Sequence, residues 1–381
     1  MDDGRITSVT STDLSKAFDC VNRNLLLTKL ECYGIAEHWF KDYFTNRTQT
    51  VTGGQTKLEV PVGVVQGSIL GPIMFLLFTN DMHCYVSKEC RIISYADDTQ
   101  LMHSEIPNPH GLTKLKERVE ADLLVLSRWF QSNGLKLNPS KTELLIMGTP
   151  TQTKNSQDFK VNMSDVVLKP SGTLKILGVT MDKNLGWEPQ TAKIVGKCYS
   201  KLIAINKLRY IFPKRTLKTL IETLVLPHVC YCLPAWAPPT VHQRQRIGKA
   251  MNFAVRIVTG KKRHEHISEA REALGWPSID KLIHIHDCAL IHRILNEPEG
   301  PKPMKRLIKR RSEISSRTTR TSADTTILQT AENRAPHLET TKRRFPYRAV
   351  EAWNSLPAEA RLFKNRKAFK RLMKSSLVTE T

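Results

Sequence analysis

The chain of 381 residues has no apolar run that could cross a bilayer. Its longest apolar stretch, Ile69 to Phe78, falls well short of the ~20 residues a transmembrane helix needs. No apolar segment follows Met1, so no secretion signal is indicated. The eight cysteines, at 20, 32, 84, 90, 198, 230, 232 and 288, include no Cys-x-x-Cys pair, which argues against a zinc ribbon and a disulfide framework. His264, His266, His284, His286 and His292 lie in basic, helical-looking segments without paired cysteines, and read as surface or core side chains rather than metal ligands. A Walker-type glycine loop is also absent, which disfavours an ordinary phosphotransferase. No internal repeat is present. The expectation is a soluble, intracellular chain with reduced thiols and no membrane partner.

Acidic charge is scarce in one half only. The chain carries 58 Lys and Arg against 36 Asp and Glu, a net charge of +22. Residues 1–190 hold 20 of those cations and 21 of the acids, while the remainder holds 38 and 15. A near-neutral half followed by a strongly basic one suggests a polyanion held against a site in the first half, against the plainer reading of a solubilising surface. With 40% hydrophobic and 25% charged residues the composition is otherwise globular, and the length allows two or three domains.

The hydrophobic pattern gives the order of elements. Residues 5–13 alternate weakly and end on Asp13. Leu26, Leu30 and Tyr33 give a helix an apolar face, closed by Gly34, and a second helix carries Trp39, Phe40, Tyr43 and Phe44. Thr48 to Val62 is β-branched around Gly53-Gly54 and predicts a hairpin. Gln66-Gly67-Ser68 opens an apolar helix reaching Asn80, with Ser68 as its N-cap. Apolar residues at 112, 115, 119, 123, 126 and 130 predict a long helix ending at Gly134. The turn Asn138-Pro139-Ser140-Lys141 leads to a strand, Thr142–Met147. Polar residues 149–165 form a loop or exposed hairpin, and Leu174–Met181 is one further strand. Strands and helices interleave throughout, so this half is α/β with helices packed on a sheet. Helical segments follow at 190–210, 214–227, 241–260 and 278–295. Residues 298–345 are basic and rich in Ser and Thr, which reads as a mobile arm. Its run Lys305–Arg311 reads either as a nuclear address or as an RNA contact. An amphipathic segment with Trp353, Leu356, Leu362, Phe363 and Phe369 ends the chain.

The chemistry is concentrated at Tyr95-Ala96-Asp97-Asp98, a turn between two apolar runs. Two adjacent carboxylates near apolar strands repel each other unless a divalent cation joins them. If the strand ending on Asp13 lies beside this hairpin, three carboxylates converge at one sheet edge. Three carboxylates without histidine suit Mg²⁺, a hard ion with oxygen ligands. Two such ions ~3.5–4 Å apart can activate a hydroxyl and stabilise a leaving phosphate oxygen. Beyond that, phosphoryl transfer asks mainly for positioning and positive charge.

These residues carry a family resemblance. Thr12-Asp13-Leu14-Ser15-Lys16-Ala17-Phe18-Asp19 resembles motif A of the reverse transcriptases of non-LTR (LINE-type) retrotransposons. Val65-Gln66-Gly67-Ser68-Ile69-Leu70-Gly71-Pro72 resembles motif B, and Tyr95-Ala96-Asp97-Asp98-Thr99 motif C. Gly134 to Thr142 resembles motif D and Leu177-Gly178-Val179 motif E; Ala352-Trp353-Asn354-Ser355-Leu356-Pro357 is similar to the C-terminal region of such elements. The tetrapeptide alone recurs by chance, whereas five motifs in order are specific.

The resemblance implies an α/β (α+β) polymerase palm with an antiparallel sheet and packed helices over 1–185, then an α-helical thumb-like domain over 186–297. The basic arm (298–345) and the C-terminal amphipathic helical segment (346–381) complete the expected organisation. It implies that Asp13 and Asp97 hold Mg²⁺ (or Mn²⁺), with Asp98 the neighbouring, more peripheral carboxylate, and that Lys141 neutralises or protonates departing pyrophosphate. Phe18 would lie under the incoming sugar and exclude a 2′-hydroxyl. Gln66 and Gly67 would border the nucleotide pocket. Without the motifs, Phe18 reads as a core phenylalanine and Lys141 reads equally as an exposed turn lysine; Asp19 reads as structuring its turn. The implied partners are an RNA template, a DNA primer and deoxynucleoside triphosphates, with nuclear action expected for the family.

Three features depart from the pattern. Motif A comes so early that the family's fingers region and upstream endonuclease have no room, so an N-terminally truncated enzyme with impaired activity is expected. Ile6 to Thr12 is more polar than a buried strand usually is, and Val65 stands where proline is common. The alternative reading is a remnant that no longer polymerises but holds RNA or DNA through its basic half.

Overall fold

The segment that looked too polar for a core strand is the centre of the sheet. Ile6–Thr12 forms β1, hydrogen-bonded on both sides. Pairing on both sides satisfies the strand's backbone, so it holds the centre although Ser8, Thr10 and Thr12 are buried and the Ser8 and Thr10 hydroxyls make no hydrogen bond. Thr12 Oγ1 also donates to Thr99 O at 3.2 Å.

The computed structural model describes residues 4–50, 53–54, 56–156, 158–163, 165–314, 326–331 and 342–376. The chain packs as two units, residues 3–176 and 177–381.

In the first unit, β1 is followed by a short 3₁₀ turn (Ala17–Cys20), α1 (Arg23–Cys32), α2 (Glu37–Phe44) and a small hairpin of β2 (Thr48–Thr50) and β3 (Lys57–Glu59). Next come α3 (Leu70–Thr79), β4 (Arg91–Tyr95), β5 (Asp98–Glu105) and the long α4 (Pro109–Ser132). Then follow β6 (Glu143–Met147), α5 (Pro150–Lys154), the hairpin β7 (Val161–Met163) and β8 (Val166–Leu168), β9 (Pro170–Ser171) and β10 (Thr173–Ile176). The main sheet has the order β4-β5-β1-β6-β9, antiparallel except for the β6–β9 edge.

Strand alternation divides this sheet into two faces. Ile6, Leu101, Leu144 and Ile146 point to one face and share a core with Leu26 and Leu30 of α1, Met74, Phe75 and Phe78 of α3, and Leu115, Val119, Leu123 and Leu126 of α4. Each such side chain contributes roughly 1.5–3 kcal/mol on burial. Asp13, Ser11 and Val9 point to the opposite face, where Ile93 and Tyr95 of β4 remain exposed. Ser68 acts as expected: its Oγ accepts from Gly71 N at 2.9 Å at the start of α3.

The single strand expected over Leu174–Met181 is instead two strands, β10 and β11 (Val179–Asp182). Leu177 and Gly178, between them, have φ of 47° and 86°, which no continuous strand accommodates.

The second unit is mostly helical. It contains α6 (Glu188–Lys207), α7 (Lys214–Leu224), α8 (Leu226–Cys230), α9 (Leu233–Trp236), α10 (Val241–Thr259), α11 (Ser268–Ala273) and α12 (Ile279–Asn296). The amphipathic faces of α6, α7 and α10 meet around Trp236 and Trp276. A second core joins α12 to the helices Phe345–Asn354 and Arg366–Ser376 through Trp353 and Phe369. The stretch 298–345, expected as a mobile arm, holds two paired strands among its described residues, Ile308–Arg310 and Leu328–Thr330. Ile308 and Leu328 are buried in that second core, which gives them the packing that composition alone did not reveal.

The Trp-Asn-Ser-Leu-Pro segment ties this core together. Asn354 Nδ2 donates to Leu328 O and its Oδ1 accepts from Leu328 N, both at 2.9 Å. Trp353 Nε1 donates to Thr326 O at 3.1 Å. Arg348 binds the fully buried Asp287 of α12 with two nitrogens, at 2.6 and 3.0 Å.

Candidate active site

The three carboxylates expected to converge lie at neighbouring strand ends. β1 pairs with β5 in a register that ends on Thr12 opposite Thr99. Asp13 and Asp98 are the next residues on each strand, on the same face of the sheet. β4 and β5 form a tight hairpin in which Tyr95 pairs with Asp98, so Ala96 and Asp97 make the turn. A two-residue turn of this kind takes positive φ, and Ala96 has φ 53°.

The electrostatics suit a cation. The Asp98 carboxyl is raised above its ordinary 3.8 by partial burial, then by the charges of Asp97 and Asp13, with Lys175 working in the opposite direction. Asp13 Oδ2 is buried and makes no hydrogen bond. Its neighbouring cation is Lys141, with Nζ at 3.5 Å. Local pairing brings that lysine in: Ser15 N donates to Lys136 O, Asn138 N donates to Asp13 O, and Leu14 bridges Leu137. The segment after α4 is thereby stitched to the end of β1, and the 3₁₀ turn Pro139–Lys141 delivers the ammonium.

Phe18 and Gln66 lie where the turn after β1 meets the segment before α3. The Phe18 ring stacks on Phe75 of α3, with centroids 4.5 Å apart. Val64 N donates to Phe18 O at 2.9 Å. Gln66 Nε2 donates to Asp19 Oδ1 at 2.6 Å, which gives Asp19 its turn-structuring partner. Gly63 is required here, because a Cβ on it would meet Asp19 O at 2.8 Å. Gly67 has φ 76° and open space around it. Gln66, Asp19, Arg23 and Arg47 line a cleft of about 540 Å³. The two arginines were not singled out in the sequence. Arg23 is held by Gly63 O, Val60 O and Phe44 O; Arg47 lies over the Tyr43 ring at 4.3 Å.

In the second unit, α6 carries Lys193, Lys197 and Lys201 at four-residue spacing along one side. The loop from α6 to α7 ends in an exposed apolar tip, with Tyr210 84% and Ile211 73% accessible. Arg209 stacks on the Tyr210 ring at 4.5 Å, and Lys207, Lys214 and Arg215 flank the loop.

Residues 2–181 match the family profile described as reverse transcriptase (RNA-dependent DNA polymerase). This segment belongs to the reverse transcriptase family. The matched region contains Asp13, Gln66, Asp97, Asp98 and Lys141. Among curated relatives, the chain is 26% identical over 276 residues to a probable RNA-directed DNA polymerase from transposon BS of Drosophila melanogaster, covering 68% of this chain and 29% of the relative. The RNA-directed DNA polymerase from mobile element jockey of the same fly is 21% identical, with 72% and 31% covered. A Pol polyprotein from the type-1 retrotransposable element R2 of Popillia japonica is 26% identical, with 46% and 31% covered. These names agree with the non-LTR resemblance of the motifs. The chain spans about three-tenths of the length of these relatives. Among solved structures, apo telomerase from Candida tropicalis superposes with a TM-score of 0.33 at 11% identity, covering 74% of this chain and 46% of that one. Among the described residues, no helix is long and apolar enough to cross a membrane.

Proposed function

We propose that the first unit is a polymerase palm that extends a DNA primer on an RNA template, with residues 186–297 as the thumb. The observation that carries this reading is that Asp13 and the Asp97-Asp98 turn stand at adjoining ends of paired strands, within a segment that matches reverse transcriptases.

The donor set fits Mg²⁺. Asp13, Asp97 and Asp98 offer oxygen ligands only, one buried Asp13 oxygen has no hydrogen bond, and partial burial, followed by the like charges of Asp97 and Asp13, disfavours the ionised Asp98. Mn²⁺ accepts the same ligands. When bound, the metal supplies Lewis acidity toward the attacking 3′-hydroxyl and the leaving phosphate oxygen. The rest falls to this chain's side chains. Asp13 and Asp97 would hold the ions, and Asp98 would add charge at the edge of the site. Lys141 Nζ, already 3.5 Å from Asp13, is placed to neutralise or protonate pyrophosphate. The Phe18 ring, backed by Phe75, presents a rigid wall to the sugar and favours deoxynucleotides. Gln66, fixed by Asp19, and Gly67, with no Cβ, border the nucleotide. Primer extension on an RNA template in Mg²⁺ tests the reading; activity retained after Asp97→Ala/Asp98→Ala would sink the mechanism.

A second reading, retention of nucleic acid without polymerisation, is favoured by the charge of the second half, 38 cations against 15 acids after residue 190. It predicts binding that weakens steeply with salt and persists in the Asp97→Ala/Asp98→Ala chain. Absence of affinity at low salt contradicts it.

A further inference from the structure

A second cluster of metal-ligand side chains lies inside the first unit, away from the open sheet face. Cys90 precedes β4, His103 sits on β5 and Asp122 on α4. A sulfur, a ring nitrogen and a carboxylate oxygen from these residues all lie within 4.8 Å of one another. His103 and Asp122 are buried, on the helix-covered side that otherwise holds Leu101, Leu115 and Val119.

Hydrogen bonding accounts for part of this cluster. Asp122 accepts from Ser87 N at 2.8 Å, from Ser87 Oγ at 2.7 Å and from His103 Nε2 at 2.7 Å. His103 Nδ1, however, is buried without a hydrogen bond, so the network is incomplete as a purely hydrogen-bonded one.

We propose that Cys90, His103 and Asp122 form a Zn²⁺ site that pins the catalytic hairpin to α4. The donor set is sulfur, nitrogen and oxygen, which suits a borderline ion such as Zn²⁺ and is wrong for Mg²⁺. Charge favours the same ion. One thiolate, one carboxylate and one neutral imidazole balance Zn²⁺ to a net charge of zero, which lowers the cost of placing charge in an apolar layer. On binding, the Cys90 proton leaves to solvent and the sulfur donates to the metal. Zn–S of about 2.3 Å and Zn–N and Zn–O of about 2.0–2.2 Å imply ligand separations of roughly 3.2–3.8 Å. The ligand atoms already lie within 4.8 Å of one another, and reaching that size requires the His103 Nε2–Asp122 Oδ2 pair, now at 2.7 Å, to open by about half an ångström or more. Water takes the fourth position, from the side of the partly exposed Cys90. Cys90 and His103 lie at the ends of β4 and β5 remote from the Asp97 turn, so the ion would hold the base of the hairpin rather than touch substrate.

The test uses the full chain, purified with Zn²⁺ and then freed of loosely held metal. Elemental analysis is expected to find one zinc per chain. Replacement by Co²⁺ is expected to give the thiolate-to-cobalt charge-transfer band of a tetrahedral site. Cys90→Ser should lose both the band and the metal, while Cys84→Ala, which alters an exposed cysteine outside the cluster, should keep both. A folded wild-type chain that takes up no Zn²⁺ and shows no cobalt band overturns the proposal, as does a band that survives in Cys90→Ser. If Cys90→Ser does not fold, His103→Gln and Asp122→Asn are read in the same way, and the wild-type metal content still decides.

Discussion

Replacing Asp98 by asparagine separates the metal-binding role of the carboxylates from any effect on folding. In the metal-free chain, Asp98 stands across from Asp13 and beside Asp97 at adjoining strand ends. A like-charged pair across two strands costs roughly 0.2–1 kcal/mol, and Asp98→Asn removes it while keeping the shape. At about 2–4 °C in Tm per kcal/mol, the metal-free variant should melt about 0.4–4 °C above the wild type at neutral pH. The sign with pH follows from the raised Asp98 carboxyl. A group that holds its proton more tightly when folded stabilises the fold below its ordinary value of 3.8, and that contribution is lost as pH rises through the raised value. Wild type and variant should therefore coincide in acid and separate above that window. Adding Mg²⁺ should narrow or reverse the difference. At ten times its dissociation constant a ligand stabilises the native state by about 1.4 kcal/mol, and the variant, which lacks the carboxylate at the edge of the site, should gain less. Calorimetric melts with chelator and with Mg²⁺ measure all of this. A variant less stable than wild type in chelator at neutral pH, or equal Mg²⁺ stabilisation of both, refutes the account of the three carboxylates.

Arg348→Ala leaves Asp287 buried without its cation and should destabilise the second unit by about 3–5 kcal/mol, measured by urea denaturation. Tyr210→Ala should weaken binding to single-stranded RNA by about 1–3 kcal/mol without changing the salt slope, because it removes a stacking surface and no charge; Arg215→Ala should lower the slope instead. Phe18→Ala should raise incorporation of ribonucleotides relative to deoxynucleotides by roughly tenfold or more, read by competitive primer extension.

The parts of the site that follow from local chemistry were legible in the sequence. Asp13 ends a strand, Asp97 lies in a two-residue turn and Ser68 opens a helix because turn and cap preferences are short-range. The stripe of α4 was equally plain, with Leu115, Val119, Leu123, Leu126 and Phe130 all buried. Features that depend on distant partners were not. β1 reads as a poor core strand until β5 and β6 pair with both its edges. Leu174–Met181 reads as one strand because nothing in Leu177 announces a positive φ. Ile308 and Leu328 lie in short apolar pairs among basic and polar residues, and only the pairing of their two strands and their burial in one core with Trp353 shows their use. The Cys90–His103–Asp122 cluster left a readable trace that the motifs overshadowed. Asp122 falls on the apolar stripe of α4, three residues after Val119, and His103 shares the inward phase of Leu101 on β5. A carboxylate and an imidazole on two inward-facing patterns call for a partner.

Mg²⁺-dependent extension of a DNA primer on an RNA template tests the central claim most directly, with the full chain and its Asp97→Ala/Asp98→Ala variant compared at equal binding of the template–primer. The account predicts template-directed products from the wild type, none without divalent metal, and none from the variant although it still binds. Equal extension by both chains would contradict it.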